Sequence, residues 1–191
     1  MRLRGTRVVL RDERRDADNE DLFRWLNLEE WNYYDEPDKP FMRISRGEFE
    51  QRLKERRSRP AEPSPSSRGW RVDTGEGRHI GWVNYYQLDE QARRAYAGIC
   101  LPEEEVWGKG YGTEAVRLLV DHLFGEMELE EVRIATWTGN KRMMRCAEKS
   151  GFGVVARMPH RAQYSIRGEP LERIEFSISR VEWLAQKEGA A

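Results

Sequence analysis

The chain has 191 residues, and its 33 basic and 34 acidic side chains leave a formal net charge of −1. This balance argues against a nucleic-acid partner recognised through bulk positive charge. The two cysteines, Cys100 and Cys146, have neither metal nor redox spacing, and no apolar run approaches the length of a membrane span, so we expect a cytoplasmic protein without a membrane partner.

The first third of the chain predicts a strand, two helices and a loop. Residues 7–11 are a short apolar run between charged residues, which predicts a strand. Apolar residues at i, i+3 and i+4 predict a helix over residues 18–28. Ser45 followed by Glu48 is typical of a capping box and predicts the start of a second helix. The three prolines and four serines of residues 58–69 predict a flexible loop.

The remaining elements begin with a run of strands. Residues 69–73, 80–88 and 95–101 alternate or are apolar, and turn-like segments separate them, which predicts an antiparallel meander. A helix, a strand, another helix and two strands follow. The order β-α-α-β-β-β-α-β-α-β-β, without internal repeats, predicts one domain over residues 1–191, with a disordered tail at 185–191.

A glycine-rich turn lies between the meander and the next helix. Residues 107–115 read Trp-Gly-Lys-Gly-Tyr-Gly-Thr-Glu-Ala. Such a turn gathers unpaired backbone N–H groups at the positive end of a helix dipole, which predicts a phosphate site. The alternating glycines differ from the Walker A loop and from the dinucleotide fingerprint Gly-x-Gly-x-x-Gly. A tight turn without a ligand is the alternative, although three glycines are costly unless the backbone must approach something closely.

Two segments of the chain resemble the GNAT N-acetyltransferase superfamily. Trp107, Gly110 and Gly112 fit the family's pyrophosphate loop Arg/Gln-x-x-Gly-x-Gly/Ala, with tryptophan at its first position, and the whole turn looks like the RimJ/RimL-like branch. Asn140 and the Glu-Lys-Ser-Gly-Phe run of residues 148–152 are similar to the family's Asn-x6-(Tyr/Ala)-Glu-Lys-x-Gly-Phe element. The resemblance implies the GNAT acyl-CoA N-acyltransferase fold. This is an α/β (α+β) architecture with a mixed, mostly antiparallel sheet of about seven strands flanked by about four helices.

The resemblance also implies the donor and its contacts. Members move an acetyl group from acetyl-CoA (coenzyme A) to a primary amine by direct attack in a ternary complex, without a metal, and hold the pantetheine arm between two splayed strands. Those strands map here to residues 95–101 and 132–138. Asn140 has a second interpretation as a plain helix N-cap, and one residue can serve both roles. The implied cofactor-binding residues are Leu101, Val106, Trp107, Gly108, Lys109, Gly110, Tyr111, Gly112, Thr113, Asn140 and Arg145.

The catalytic groups are less well marked. The family commonly protonates the departing thiolate from a tyrosine seven residues after the asparagine, and that position is Ala147 here. Glu103, Glu104 and Glu105 precede the glycine turn, and we expect one of them to deprotonate the amine directly or through a water. The alternative for each glutamate is a solvated loop carboxylate.

The acceptor is predicted from the segment between the first two helices, which forms one lip of the acceptor site in relatives. Residues 29–38, here called the lip, interleave five acidic with three aromatic residues, a composition that favours a cationic amine. We hypothesise a small cationic amine of the aminoglycoside or polyamine type, or a protein N-terminus. The alternative is a solvated acidic loop with aromatic anchors. The expected substrate-binding residues are Trp31, Tyr33, Tyr34, Asp35, Glu36, Asn84 and Tyr86.

Two other functions stay open at this stage. A protein that lacks the tyrosine could bind acyl-CoA as a sensor or scaffold without turnover. Transfer of another acyl group, such as succinyl, would use the same fold. The sequence leaves the choice between a monomer and a homodimer open.

Overall fold

The computed structural model describes residues 1–58 and 68–189, apart from the side chain of Arg57, so residues 59–67 of the expected flexible loop lie outside the described residues. Eight strands in the described ranges form one sheet in the order β1-β2-β3-β4-β5-β6-β8-β7. They are β1 (Arg2–Arg4), β2 (Val8–Arg11), β3 (Arg68–Thr74), β4 (His79–Asp89), β5 (Arg94–Cys100), β6 (Glu131–Trp137), β7 (Gly153–Tyr164) and β8 (Pro170–Ser179). The pair of β5 and β6 is parallel, and the other neighbouring pairs are antiparallel.

Six α-helices in the same ranges flank this sheet, together with a short 3-10 turn at Glu104–Val106. They are α1 (Ala17–Leu26), α2 (Glu29–Asp35), α3 (Arg46–Ser58), α4 (Tyr111–Gly125), α5 (Lys141–Lys149) and α6 (Arg180–Glu188). None of these helices is both long and apolar enough to cross a lipid bilayer. The predicted mixed, mostly antiparallel architecture is confirmed, with one strand and two helices more than expected.

Three elements, β1, α2 and α6, were not predicted from the sequence. Helix α6 follows a capping box, in which the Ser179 Oγ accepts from the Glu182 backbone N–H at 3.3 Å and the Glu182 carboxylate accepts from the Ser179 N–H at 2.8 Å. Trp183 is buried against the core and donates to Asp121 at 2.9 Å. The expected disordered tail is therefore wrong for residues 185–188, which continue α6.

The main core lies between α4 and one face of the sheet. Leu119, Val120 and Leu123 are fully buried, because the i, i+3 and i+4 spacing aligns them on the side of α4 that packs against β2, β4 and β5. Val83 of β4 points to the same side. Successive strand residues face opposite sides, so the neighbouring Trp82 lies on the other face, where it packs against α1 and α2. One face of the sheet therefore packs against α4 in the main core, and the other face packs against α1 and α2.

Strands β5 and β6 separate along their length. They pair only where Arg94–Tyr96 lie beside Glu131–Arg133, while β6 stays paired with β8 through Trp137. The carboxyl-terminal half of β5 therefore has an open backbone edge towards β6. This confirms the splay that the family resemblance implied, and it opens a gap in the middle of the sheet.

Candidate active site

The glycine turn forms the wall of a cavity at the beginning of α4. Gly108 and Gly110 have φ angles of +72° and +87°, in the left-handed region that favours glycine. Gly110 is the N-cap of α4, so the N–H groups of the first turn stay free of helix partners. Arg7 fastens the turn to the sheet, since its guanidinium donates to the Lys109 carbonyl at 2.8 Å and its backbone N–H donates to Glu114 at 2.8 Å.

The cavity beside this turn, here called the loop cavity, has a volume of about 810 Å³. Its floor includes Cys100 and Leu101 at the end of β5, and its opposite wall is α5. Four cationic side chains of α5 line it, namely Lys141, Arg142, Arg145 and Lys149. A helix N-terminus and four cations around one cavity favour a ligand with several phosphate groups.

Arg142 connects three parts of the loop cavity. Its guanidinium carbon lies 3.6 Å from the ring centroid of Trp107 and 3.9 Å from that of Tyr34. The Trp107 indole N–H donates to the Leu101 carbonyl at 2.6 Å, which closes the short segment between β5 and the glycine turn. Trp107 therefore holds a guanidinium at the entrance of the turn.

A second cavity, here called the sheet cavity, lies over the other face of the sheet and has a volume of about 440 Å³. Trp82, Asn84 and Tyr86 of β4 line it, together with Trp137 of β6 and Arg173 of β8. The two cavities meet, because they share a set of lining residues. The shared residues are Tyr34, Asp35, Ile99, Cys100, Asn140 and Met143.

Asp35 is the carboxylate at this junction. It ends α2, is exposed, and lines both cavities, whose walls still limit the water around its carboxyl group. This loss of hydration raises the pKa of the Asp35 carboxyl above its usual value of 3.8; the nearby Glu36 adds to the rise and Lys39 opposes it. A carboxylate with a raised pKa is suited to accept a proton from an ammonium group.

Comparison with known families identifies the architecture. Residues 7–153 match the model of a family described as an acetyltransferase (GNAT) domain. The chain belongs to the GNAT acetyltransferase family. The fold of this chain is also similar to that of a solved structure, the spermidine N-acetyltransferase of Vibrio cholerae in complex with CoA and spermine. That structure has a TM-score of 0.74 at 18% identity, covering 94% of this chain and 99% of that chain.

Curated GNAT relatives match over part of their lengths. YdaF of Bacillus subtilis, whose name is that of a ribosomal N-acetyltransferase and fits the RimJ/RimL-like branch, is 29% identical over 112 residues, which are 59% of this chain and 60% of YdaF. The spermidine N(1)-acetyltransferase of Escherichia coli is 26% identical over 111 residues, or 58% of each protein. The chain therefore spans less than two thirds of the length of these relatives.

Most residues expected to bind the GNAT cofactor do line the loop cavity. They are Leu101, Val106, Trp107, Gly108, Gly110, Gly112, Thr113, Asn140 and Arg145. Lys109 and Tyr111 do not line it; Tyr111 packs against the core instead. The Asn140 Oδ1 accepts from the Met143 backbone N–H at 3.1 Å, so Asn140 caps α5 and also borders both cavities.

The structure places the three glutamates expected to supply the base outside the two cavities. Glu103, Glu104 and Glu105 line neither cavity. Glu103 accepts from the Trp25 indole at 2.8 Å and pairs with Arg24 and Arg78. Hydrogen bonding to Arg78 lowers the pKa of Glu105. A carboxylate held by guanidinium groups has little tendency to take up a proton.

Only part of the lip borders the cavities. Trp31, Tyr34 and Asp35 line the cavities, as do Asn84 and Tyr86 of β4.

Tyr33 and Glu36, two of the expected substrate-binding residues, line neither cavity. Tyr33 is buried and its hydroxyl donates to the Ser165 Oγ at 3.0 Å, while Glu36 pairs with Lys39. The sequence did not point to Arg173, whose position depends on contacts between distant parts of the chain.

Proposed function

We propose that the protein is an acetyl-CoA-dependent N-acetyltransferase that moves an acetyl group to a primary amine by direct attack in a ternary complex. The junction of the two cavities at Asp35 carries this proposal. One cavity offers phosphate-binding groups and an open strand edge, the other is lined by polar and aromatic groups, and a single carboxylate faces both. Direct transfer needs two substrates held in line at such a junction.

The loop cavity fits coenzyme A by its donor groups. The N–H groups at the start of α4, between Gly110 and Thr113, suit the pyrophosphate oxygens, and the cations of α5 suit the remaining phosphate. The open edge of β5 has free backbone groups for the amides of the pantetheine arm. Acetyl-CoA would supply the acetyl group as a thioester.

The sheet cavity takes the amine, and Asp35 takes its proton. As the ammonium loses one proton to Asp35, the nitrogen forms a bond to the acetyl carbon, the carbon–sulfur bond breaks, and the second proton released by the nitrogen passes to the departing thiolate, directly or through a water. Ala147, fully buried in α5, replaces the family's tyrosine and has no proton to give. Polyamines, aminoglycosides and peptide N-termini are the first acceptors to test, since relatives are named for such substrates.

The proposal predicts free thiol from acetyl-CoA when a suitable primary amine is present. Purified protein is incubated with acetyl-CoA and a panel of amines, and the release of coenzyme A is followed with a thiol reagent. Succinyl-CoA in place of acetyl-CoA tests the alternative donor. Binding of coenzyme A without turnover on any amine would contradict the proposal and favour an acyl-CoA sensor.

Cys100 is not expected to carry the acetyl group, although it borders both cavities. Burial raises the pKa of the Cys100 thiol well above its usual value, and the nearby Asp35 adds to the rise, so little thiolate is present at neutral pH. We expect Cys100→Ala to keep kcat within about threefold, because its thiol takes no part in the transfer.

Initial-rate kinetics check this prediction. Double-reciprocal plots should intersect, as they do for a ternary complex, and the protein should carry no acetyl group after incubation with acetyl-CoA alone. Parallel plots, together with an acetylated Cys100 in the mass spectrum, would contradict direct transfer.

A further inference from the structure

Two side chains of opposite charge, Asp35 and Arg173, line the sheet cavity. Arg173 lies opposite Trp137 in the β6–β8 ladder, and the Trp137 indole N–H donates at 3.0 Å to the carbonyl of Tyr34, the residue before Asp35. A single indole therefore connects the strand that carries the guanidinium with the helix end that carries the carboxylate. Burial raises the pKa of the Tyr86 phenol; Arg173 opposes the rise and Asp35 adds to it, so both charges act on one side chain of the cavity.

Arg173 keeps binding capacity for a ligand. Its Nε and Nη2 donate to one oxygen of Glu175 at 3.0 and 2.8 Å. A guanidinium has five N–H groups, so these two bonds leave three for other acceptors. Glu175 is nearly buried, lies 3.7 Å from Arg133 and accepts from the Tyr96 hydroxyl at 3.2 Å, so its charge does not depend on Arg173 alone.

His160 of β7 provides a second donor in the same cavity. Its Nδ1 accepts from the Ala162 backbone N–H at 3.2 Å. The proton of the neutral imidazole is therefore on Nε2, which can donate to an anionic oxygen. A guanidinium and an imidazole N–H lining one small cavity favour a carboxylate or phosphate ligand.

The lip offers less negative charge than its sequence suggested. Glu30 forms an ion pair with Arg167 at 2.9 Å, and Glu36 pairs with Lys39. Asp35 is the carboxylate of the lip that lines the sheet cavity. A polyamine would find one carboxylate there, and its second ammonium group would meet the guanidinium of Arg173, which is unfavourable.

We infer that the acceptor is a primary amine that also carries a carboxylate or phosphate group, with its ammonium beside Asp35 and its anionic oxygens bound by Arg173 and His160. Amino acids and aminoalkyl phosphates have this chemistry. The inference rests on the proposed function, because it concerns the amine that the same site would acetylate. Such an acceptor differs from a polyamine by the anionic group that Arg173 and His160 would bind.

Matched acceptor pairs test the inference. Lysine is compared with cadaverine, β-alanine with propylamine, and phosphoethanolamine with ethanolamine, so that each pair differs in the anionic group and the three pairs separate carboxylate from phosphate. We expect the anionic member of at least one pair to have a KM roughly 10- to 100-fold lower, the usual range for hydrogen bonds to a charged group. Equal KM values, or a preference for the members without the anion, would overturn the inference.

Variants assign the preference to the cavity. The double variant Arg173→Gln/Glu175→Gln removes both charges together, so no buried carboxylate is left unpaired, and it should abolish the preference. Glu175→Gln alone keeps Arg173 and should retain it. Arg157→Gln on β7, an exposed residue paired with Glu172 at 3.6 Å, should match the wild type. A preference that survives the double variant would place the anion site elsewhere and overturn the inference.

Binding measurements separate this inference from the proposed function. Calorimetry of the same pairs with the CoA-bound protein reports recognition of the anion without any transfer. Turnover on amines without a preference leaves the acetyltransferase proposal standing and overturns the inference. Selective binding of the anionic members without turnover on any amine supports the recognition of the anion and contradicts the proposed acetyltransferase function.

Discussion

Gly112→Asp should abolish binding of coenzyme A, with the dissociation constant rising at least ~100-fold, since placing like charges together costs several kcal/mol. Gly112 is in the first turn of α4 and lines the loop cavity. A Cβ atom added there would lie 3.6–3.7 Å from Leu101, Cys146 and Ile99, an ordinary contact distance. The backbone there therefore accepts a Cβ atom, while the added carboxylate would lie beside the free N–H groups that we propose for the phosphate oxygens.

Gly47→Asp is the matched control for this variant. Gly47 is likewise the second residue of a helix, α3, and a Cβ atom added there meets nothing within 4 Å. An acidic residue in a first helical turn is favourable in both places, so neither variant should lose much stability. Calorimetry with coenzyme A and thermal melting of both variants make the comparison. Tight binding by folded Gly112→Asp would show that the loop cavity is not the phosphate site.

The glycine turn and the Asn140 cap could be predicted because their geometry is local. Gly108 and Gly110 adopt left-handed backbone conformations, and the need for glycine at such positions is visible in the sequence itself. Asn140 caps α5 through a bond to the residue three positions later, a range that a pattern of spacing captures. The capping box of Ser179 and Glu182 was equally local, and the start of α6 could have been found from it.

The identity of the carboxylate at the junction could not be predicted in the same way. Glu103 is held by Arg24 and Trp25, which are 79 and 78 residues away in the chain, and no spacing rule reports such contacts. Helix α2 has only seven residues and begins after Leu28 without a side-chain cap, so the sequence carries little helical signal for it. Tertiary packing of the lip aromatics decides where that helix ends, and hence where the carboxylate of Asp35 lies.

Asp35→Asn should lower kcat by ~10²–10⁴-fold, the usual contribution of a general base, while the affinity for coenzyme A stays unchanged. The amide is nearly isosteric with the carboxylate but accepts no proton from the ammonium group. Glu104→Gln, in the 3-10 turn and outside both cavities, is the control that should keep the wild-type rate. Steady-state kinetics with a working acceptor and calorimetry with coenzyme A separate the two parameters. Loss of activity in Glu104→Gln and not in Asp35→Asn would show that a glutamate before the glycine turn, and not Asp35, acts as the general base.

The same substitution should make the protein more stable at neutral pH, and the sign follows from the direction of the pKa shift. The Asp35 carboxyl ionises near 3.8 in the unfolded chain and at a higher pH in the folded one, because partial loss of hydration disfavours its charge. Between these two values the folded state binds more protons, so stability falls as the pH rises through this window, and at pH 7 the cost of the charge is present, reduced by the solvent that reaches this exposed side chain. Asp35→Asn removes that cost, and its melting temperature should exceed that of the wild type at pH 7, with the difference disappearing below pH 3.8.

The acid limb of the kcat profile should follow the same raised pKa in the wild type and be absent in the variant, since activity requires the ionised carboxylate. An Asp35→Asn protein that is slower but no more stable would contradict the raised pKa, because it would show that the carboxylate is well hydrated in the folded protein. A hydrated aspartate with an ordinary pKa would be a poor base for an alkyl ammonium group.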